Sequence, residues 1–378
     1  MARVVFVTWD GGGNVSVALT IARVLVERDH EVTVFGPASL RGTIENNGLG
    51  YAELGVSPPP DSSSRSGYLE EVVGSAHLAI GLRSLITELR PEAVVIDCNL
   101  SWALQESMTA PAAVLVHTAL GLYLPVWQPV IDAANRGRLA AGLAAFEPAA
   151  ASWRSRDALI VTSVLDFDRP PTPLPANAVY VGQVKRSYRG GPSSTIAPGP
   201  STIPLVVVSY STDRLQNSPE RLQQALDGLA ALPVRVLATT SGTFEAERLS
   251  VPPNATVLDD LLHDQVMPMA QAAVVHAGHG TTLAALCHGL PLVCVPGLGR
   301  DQGPIARRVA ELGLGVALAP DADAEQIGAA VKAILDDRTY RQRAFEFKRR
   351  CGNPDGAVVA ADILERMGSR SRQATGSH

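Results

Sequence analysis

Short apolar runs alternate with stretches in which apolar residues recur at helical spacing, and the alternation occurs in two series along the chain. In the first series, residues 4–8, 31–35, 93–96, 113–117, 158–161 and 179–181 read as strands, with helices over 17–27, 78–89 and 100–108. From 186 to 203 the composition turns to Gly, Pro, Ser and Thr, which reads as a linker. The second series has strands at 205–209, 234–239, 255–257, 272–276 and 292–295, and helices at 219–232, 283–288, 324–336 and 356–366. Such alternation predicts parallel sheets wrapped by helices, with ligands bound beyond the carboxyl ends of the strands. The expected division is a domain over 1–187, a linker over 188–203, a second domain over 204–350, a last helix within 351–367 and a disordered polar tail over 368–378.

Composition narrows the picture. With 378 residues, 46% of them hydrophobic, the chain can bury two cores. A net charge of −5 offers no basic footprint for nucleic acid. No apolar run reaches the ~18 residues of a membrane span. The first residues enter a strand directly, without a signal-peptide layout. Cys98, Cys287, Cys294 and Cys351 lie singly in or beside apolar segments, so buried free thiols and a cytoplasmic location are expected. A homodimer remains open.

The richest chemistry lies between Val274 and Gly315. An apolar run ends at His276, a glycine-bracketed turn follows (Ala277, Gly278, His279, Gly280, Thr281, Thr282), and a helical pattern starts at once. A strand entering a helix through glycines leaves backbone N–H groups at the positive end of the helix dipole, which suits a phosphate. His276 adds a donor or a positive charge. Asp301 and Gln302, one strand further on, can bind hydroxyl groups. Diphosphate and hydroxyls together read as a nucleotide sugar. His276 and His279 do not form a metal pair, because the glycine turn is not one helical face and no Cys or carboxylate completes a set.

This segment resembles the donor-binding signature of family-one glycosyltransferases, at His276, Gly278, Gly280, Thr281, Ala285, Leu286, Gly289, Pro291, Pro296, Asp301, Gln302, Ala306, Arg308 and Val309. The resemblance implies an α/β GT-B fold of two Rossmann-like, doubly wound domains facing a cleft. It also implies inverting transfer of a sugar from a nucleotide diphosphate sugar to a small acceptor, in the style of bacterial transferases that decorate antibiotics. No cofactor or metal is needed; the nucleotide sugar is a co-substrate. By the same resemblance His276, Gly278, His279, Gly280, Thr281 and Ser211 hold the diphosphate, Asp301 and Gln302 the sugar, and Leu261 and His263 the nucleobase. Ala284 and Ile305 stand where relatives often carry Glu and Asn, which leaves the nucleotide and the sugar unnamed.

The N-terminal loop Asp10–Val15 departs most. Relatives place a general-base histidine where this chain has Asn14, and an Asp that orients it, matched here by Asp97. Asn has no useful basicity, and general-base help contributes about 10²–10⁴-fold. The readings left open are an acidic acceptor (thiol, thione or phenol), a substitute base (Asp10, Asp97 or His117, all at strand ends), C-glycosylation, or a non-catalytic nucleotide-sugar-binding partner of another transferase. An epimerase on the same fold is a further option. Asp97 could alternatively cap the helix that follows it. The segment 56–69 and the region 121–153, with Tyr123, Trp127 and Trp153, are expected to shape the acceptor side, or else to pack as core. A dehydrogenase fits poorly: Gly11, Gly13 and Ser16 only approximate the dinucleotide motif, and the second strand lacks a ribose-binding acid. Asp321 and Asp323 resemble a metal-binding D-x-D but precede a helix, where capping explains them.

Overall fold

The computed structural model describes residues 1–55, 76–100, 102–103, 110–140, 142–185, 201–212, 216–297, 299–351 and 355–375. The segment 56–69, the stretch 186–200 and most of the 100–108 helix lie outside the described residues. The chain forms two compact units, Met1–Gly190 with Pro354–His378, and Gly191–Asn353.

The first unit runs β1 (Arg3–Val7), α1 (Gly13–Glu27), β2 (Glu31–Gly36), α2 (Arg41–Asn46), β3 (Gly50–Glu53), α3 (Ala76–Leu89), β4 (Ala93–Asp97), β5 (Ala112–Val116), α4 (Leu120–Ala140), α5 (Ala149–Arg154), β6 (Ala158–Val161) and β7 (Ala178–Tyr180). Its seven strands lie in the order β3-β2-β1-β4-β5-β6-β7, and every pairing is parallel. Every residue of β4 and β5 is buried, as central strands covered on both faces require. Alternate residues feed the two faces: Val5 and Val7 join the core beneath α3 and α4, while Val4 and Phe6 join that beneath α1.

The second unit runs β8 (Leu205–Ser209), α6 (Pro219–Ala230), β9 (Arg235–Thr239), β10 (Ala255–Leu258), α7 (His263–Val266), β11 (Ala272–Val275), α8 (His279–Cys287), β12 (Leu292–Cys294), α9 (Gln302–Glu311), β13 (Gly315–Ala317), α10 (Ala324–Asp336) and α11 (Arg338–Lys348). The strand order is β10-β9-β8-β11-β12-β13, again parallel throughout. Both sheets therefore reverse strand order beside their first strand, at β1/β4 and at β8/β11, and a parallel sheet opens a crevice at such a point. Two caps explain helix starts. Ser218 accepts from Arg221 N before Pro219, and Asp323 forms a capping box with Gln326. The Asp321/Asp323 pair thus carries a cap.

The last helix, α12 (Gly356–Thr375), belongs to the first unit. Ala357, Ala360, Ala361 and Leu364 enter the core beneath α1. Arg28 Nη1 binds Asp362 at 2.7 Å and Glu365 at 3.0 Å, and His30 Nε2 lies 2.9 Å from Glu365. The helix continues past Met367 to Thr375, where the polar composition suggests disorder, and Ser369 Oγ bonds back to Glu365 O at 2.9 Å.

The cysteines correct a second expectation. Cys98 and Cys294 are buried free thiols, but Cys287 and Cys351 form a disulfide with Cα atoms 5.4 Å apart. Cys287 ends α8 and Cys351 follows α11; these two helices pack together and join residues 64 apart in sequence.

Candidate active site

In the second unit, β11 ends at Val275 and the chain turns through His276, Ala277 and Gly278 into α8. Ala277 takes a left-handed φ of 61°, which re-aims the backbone within three residues. A side chain at Gly278 would put its Cβ 2.2 Å from His276 Nε2, so glycine alone lets the imidazole lie against the turn. Gly278 is the N-cap of α8 and supplies no side-chain cap; the first bond back to it comes from Thr282 N at 3.0 Å. The earlier amides, of Gly280 and Thr281, thus have no capping side chain. Amides at a helix N-terminus beside a histidine can hold an anion. His276 and His279 are both largely buried, while Gly280 is exposed.

The neighbouring strand ends border this turn. Ser209 Oγ, at the end of β8, lies 3.0 Å from His263 Nε2. His263, expected beside a nucleobase, is thus tied to the strand end, and Leu261 beside it is buried. Ser211 is buried too. Gln302 departs from expectation. It opens α9, its Oε1 accepts from Gly297 N at 2.6 Å, and its Nε2 donates to Gln216 Oε1. One end of that amide bonds back to Gly297, and the other ties the start of α9 to Gln216. Asp301, at the N-cap position without a capping bond, is the half-buried member of the pair. A residue missed from sequence, Arg221, spans the unit: Nη2 donates to Val295 O and Pro296 O at 3.0 Å each, and Nη1 to Pro320 O at 3.3 Å. An arginine in a helix's first turn carries no sign of such a task in sequence.

In the first unit, the ends of β1, β4 and β5 bring Asn14, Asp97 and His117 together. Asn14 is buried, and its Nδ2 lies within donating reach of Thr8 Oγ1 (3.2 Å), Trp9 O (2.8 Å) and Asp97 Oδ2 (2.9 Å). Its Oδ1 accepts from Gly11 N at 3.2 Å. Asp97 Oδ1 accepts from Trp9 Nε1 (3.3 Å) and from Asn99 N (2.9 Å). The carboxylate therefore organises the loop after β1, and it also closes the turn after β4. His117 Nδ1 lies 3.5 Å from Asp97 Oδ2 and 3.7 Å from Cys98 Sγ. Asp10 is drawn elsewhere, accepting from Ser39 Oγ at 2.8 Å.

Tyr123 and Trp127 are not an open shelf. Both are buried in the first core, stacked with centroids 5.7 Å apart, and Trp153 is buried in the same core. Large aromatic faces one helical turn apart pack against the sheet more favourably than against water. Tyr123 reaches the group through its hydroxyl, which donates to Asn99 Oδ1 at 2.8 Å.

Among the described residues, Asp97, Cys98 and His117 alone bring metal-ligand atoms together, within 4.8 Å of one another. Asp97 already accepts from three donors, and the Cys98 thiol donates to Asn99 Oδ1 at 3.4 Å. The set is organised as a hydrogen-bond network. Burial pushes the Tyr210 phenol up, and the Cys294 thiol up to about 12. No helix among the described residues is long and apolar enough to cross a membrane.

Residues 223–365 match the family described as erythromycin biosynthesis protein CIII-like, C-terminal domain. The whole chain is 26% identical to the 4'-demethylrebeccamycin synthase of Lentzea aerocolonigenes over 424 residues, covering 96% of this chain and 99% of that protein. Its fold is that of GT-B glycosyltransferases. It matches CalG4, the calicheamicin glycosyltransferase, with a TM-score of 0.77 at 21% identity over 98% of this chain and 99% of that one. It also matches the glycosyltransferase VinC in complex with dTDP, at a TM-score of 0.72 and 18% identity, covering 97% and 100% of the two chains.

Proposed function

We propose that this glycosyltransferase moves a sugar from a nucleotide diphosphate sugar to a small natural-product acceptor, inverting the anomeric carbon and using no metal. The observation that carries the reading is the turn at 276–281, where a buried imidazole lies on a side-chain-less N-cap beside uncapped amides. In this reading His276 and the amides of Gly278, Gly280 and Thr281 neutralise the departing diphosphate, with Ser211 beside them, and His279 shapes the turn from its buried position. Those donors are fixed before reaction, so they stabilise the charge that develops as the sugar–phosphate bond breaks. Asp301 binds sugar hydroxyls while Gln302 holds its loop in shape. Leu261 supplies an apolar wall for the base. Attack from the face opposite the diphosphate makes an α-linked donor give a β-linked product. That VinC was solved with dTDP favours testing thymidine nucleotides first.

Asn14 takes no part in proton transfer, because its amide is spent on Thr8, Trp9 and Asp97. The same fact supports a second reading, a nucleotide-sugar-binding partner without catalysis. The two separate in one experiment: incubation with UDP-, TDP- and GDP-sugars and a panel of alcohols, phenols and thiols, following nucleoside diphosphate release and the anomeric proton coupling of the product. Release with inverted coupling is expected. Retained configuration contradicts the mechanism, and nucleotide binding without release from any donor favours the partner.

A further inference from the structure

The Asp97 carboxylate has two nitrogen-bearing side chains at Oδ2, and only one of them can take up a proton. Asn14 donates to it at 2.9 Å from α1. His117 stands 3.5 Å away, one residue beyond β5 and only partly buried. β4 and β5 pair with Asp97 opposite Leu115, which sets His117 two residues further along at the same end of the sheet. The carboxylate is fixed independently of His117, by Trp9, Asn14 and the Asn99 amide. Fixed acid, adjacent imidazole and partial exposure are the parts of an acid-oriented base.

We infer that His117 is the general base of the transfer, with Asp97 as its positioning residue, so that the base stands on β5 instead of α1. The inference rests on the transfer reading and specifies its acceptor: an alcohol or phenol hydroxyl, which needs a base, instead of a thiol that ionises unaided. Nδ1–H of His117 faces Asp97, and Nε2 takes the hydroxyl proton. As it does so, the acceptor oxygen forms its bond to the anomeric carbon. The bond from that carbon to the phosphate oxygen breaks, and its electron pair leaves with the nucleoside diphosphate. The imidazolium is held by Asp97. Among the described residues, the charged or titratable groups facing this ring are Asp97 and Cys98 from the end of β4 and Tyr123 from α4, whose ring centroid lies 6.2 Å away.

The test is His117→Gln, assayed by nucleoside diphosphate release with 4-methoxyphenol and with 4-nitrothiophenol, which is ionised at neutral pH. The inference expects kcat for the phenol to fall by about 10²–10⁴-fold with KM little changed. The thiol rate should stay within a few fold, and the acid limb of the wild-type pH–rate profile for the phenol should disappear. The melting temperature and the nucleotide-induced shift should match wild type, which separates loss of a base from loss of fold. Equal losses for phenol and thiol would assign His117 a structural role and overturn the inference, as would an unchanged phenol rate. One equivalent of tightly held zinc in the wild type, absent from the variant, would also overturn it, since Nδ1 would then be a ligand. If the wild type binds nucleotide yet releases no diphosphate with any acceptor, the transfer reading itself falls, and the base with it.

Discussion

The two parallel sheets reverse strand order beside their first strand, yet the two crevices are furnished in opposite ways. At β1/β4 the polar groups satisfy one another: Asn14 and Asp97 between them take up the Trp9 indole and the backbone amides of Gly11 and Asn99. Both helices behind these turns start on a glycine without a side-chain cap, but at β8/β11 a buried imidazole, His276, lies against the turn. A network of mutually bonded side chains positions groups; an uncapped helix start beside a histidine suits an anion. On the proposed reading the first crevice orients and the second binds charge.

The largest effect is expected at the second crevice. Gly278→Ala would drive a Cβ to 2.2 Å from His276 Nε2, displacing either the ring or the turn. Titration calorimetry should show nucleotide affinity lost by at least about 100-fold, close to 3 kcal/mol. An affinity near wild type would show that this turn is not the binding element.

At the first crevice, Asp97→Ala strands the Trp9 indole and the Asn99 N–H, while Asn14 keeps Thr8 and Trp9 O. Denaturant unfolding should show a loss of about 2–5 kcal/mol, at roughly 1–3 kcal/mol for each buried donor left unsatisfied. A loss below 1 kcal/mol would mean that water or an alternative packing replaces those bonds, and the contrast between the crevices would collapse.

The disulfide sharpens the comparison because it lies within the second unit. Closing a loop of 64 residues restricts the unfolded chain by about 4 kcal/mol at most. Reduction should lower the melting temperature of the second unit. Thiol titration of the denatured, unreduced protein should count two, Cys98 and Cys294; a count of four would contradict the bridge.

The smallest effect is a pH dependence. The Cys294 thiol is raised from 9.0 to about 12 by burial, so the folded state keeps a proton that the unfolded state releases. Its contribution is fully present below pH 9 and is lost as pH rises from 9 to about 12. Cys294→Val should flatten that part of the stability curve, and an unchanged slope would assign it to the phenols of Tyr180 and Tyr210, also raised by burial.

The parts legible in sequence were those set by local pattern. Fully buried strands such as β5 and β6 are unbroken apolar runs, and His276 through Thr281 carries its geometry in its glycines. What stayed hidden depends on neighbours distant in sequence. Pro125 and Pro129 argue against a helix, yet α4 runs through both, held by a buried face that includes Tyr123, Trp127 and Ile131. That Gln302 bonds to Gly297 and Gln216 could not be read from sequence, since Gln216 lies far away along the chain. The short edge strands β3 and β13 carry too few apolar residues to stand out. Asp97 and His117 meet only because β4 and β5 pair in one register.

The central claim, that the turn after β11 binds the diphosphate of a nucleotide sugar, is tested most directly by thermal shift with UDP, TDP and GDP at millimolar concentration, on wild type and on His276→Ala. The account predicts that one nucleotide raises the melting temperature of the wild type, since a ligand binding only the folded state must do so, and that the rise disappears in the variant. No shift with any nucleotide, or an equal shift in both proteins, would contradict it.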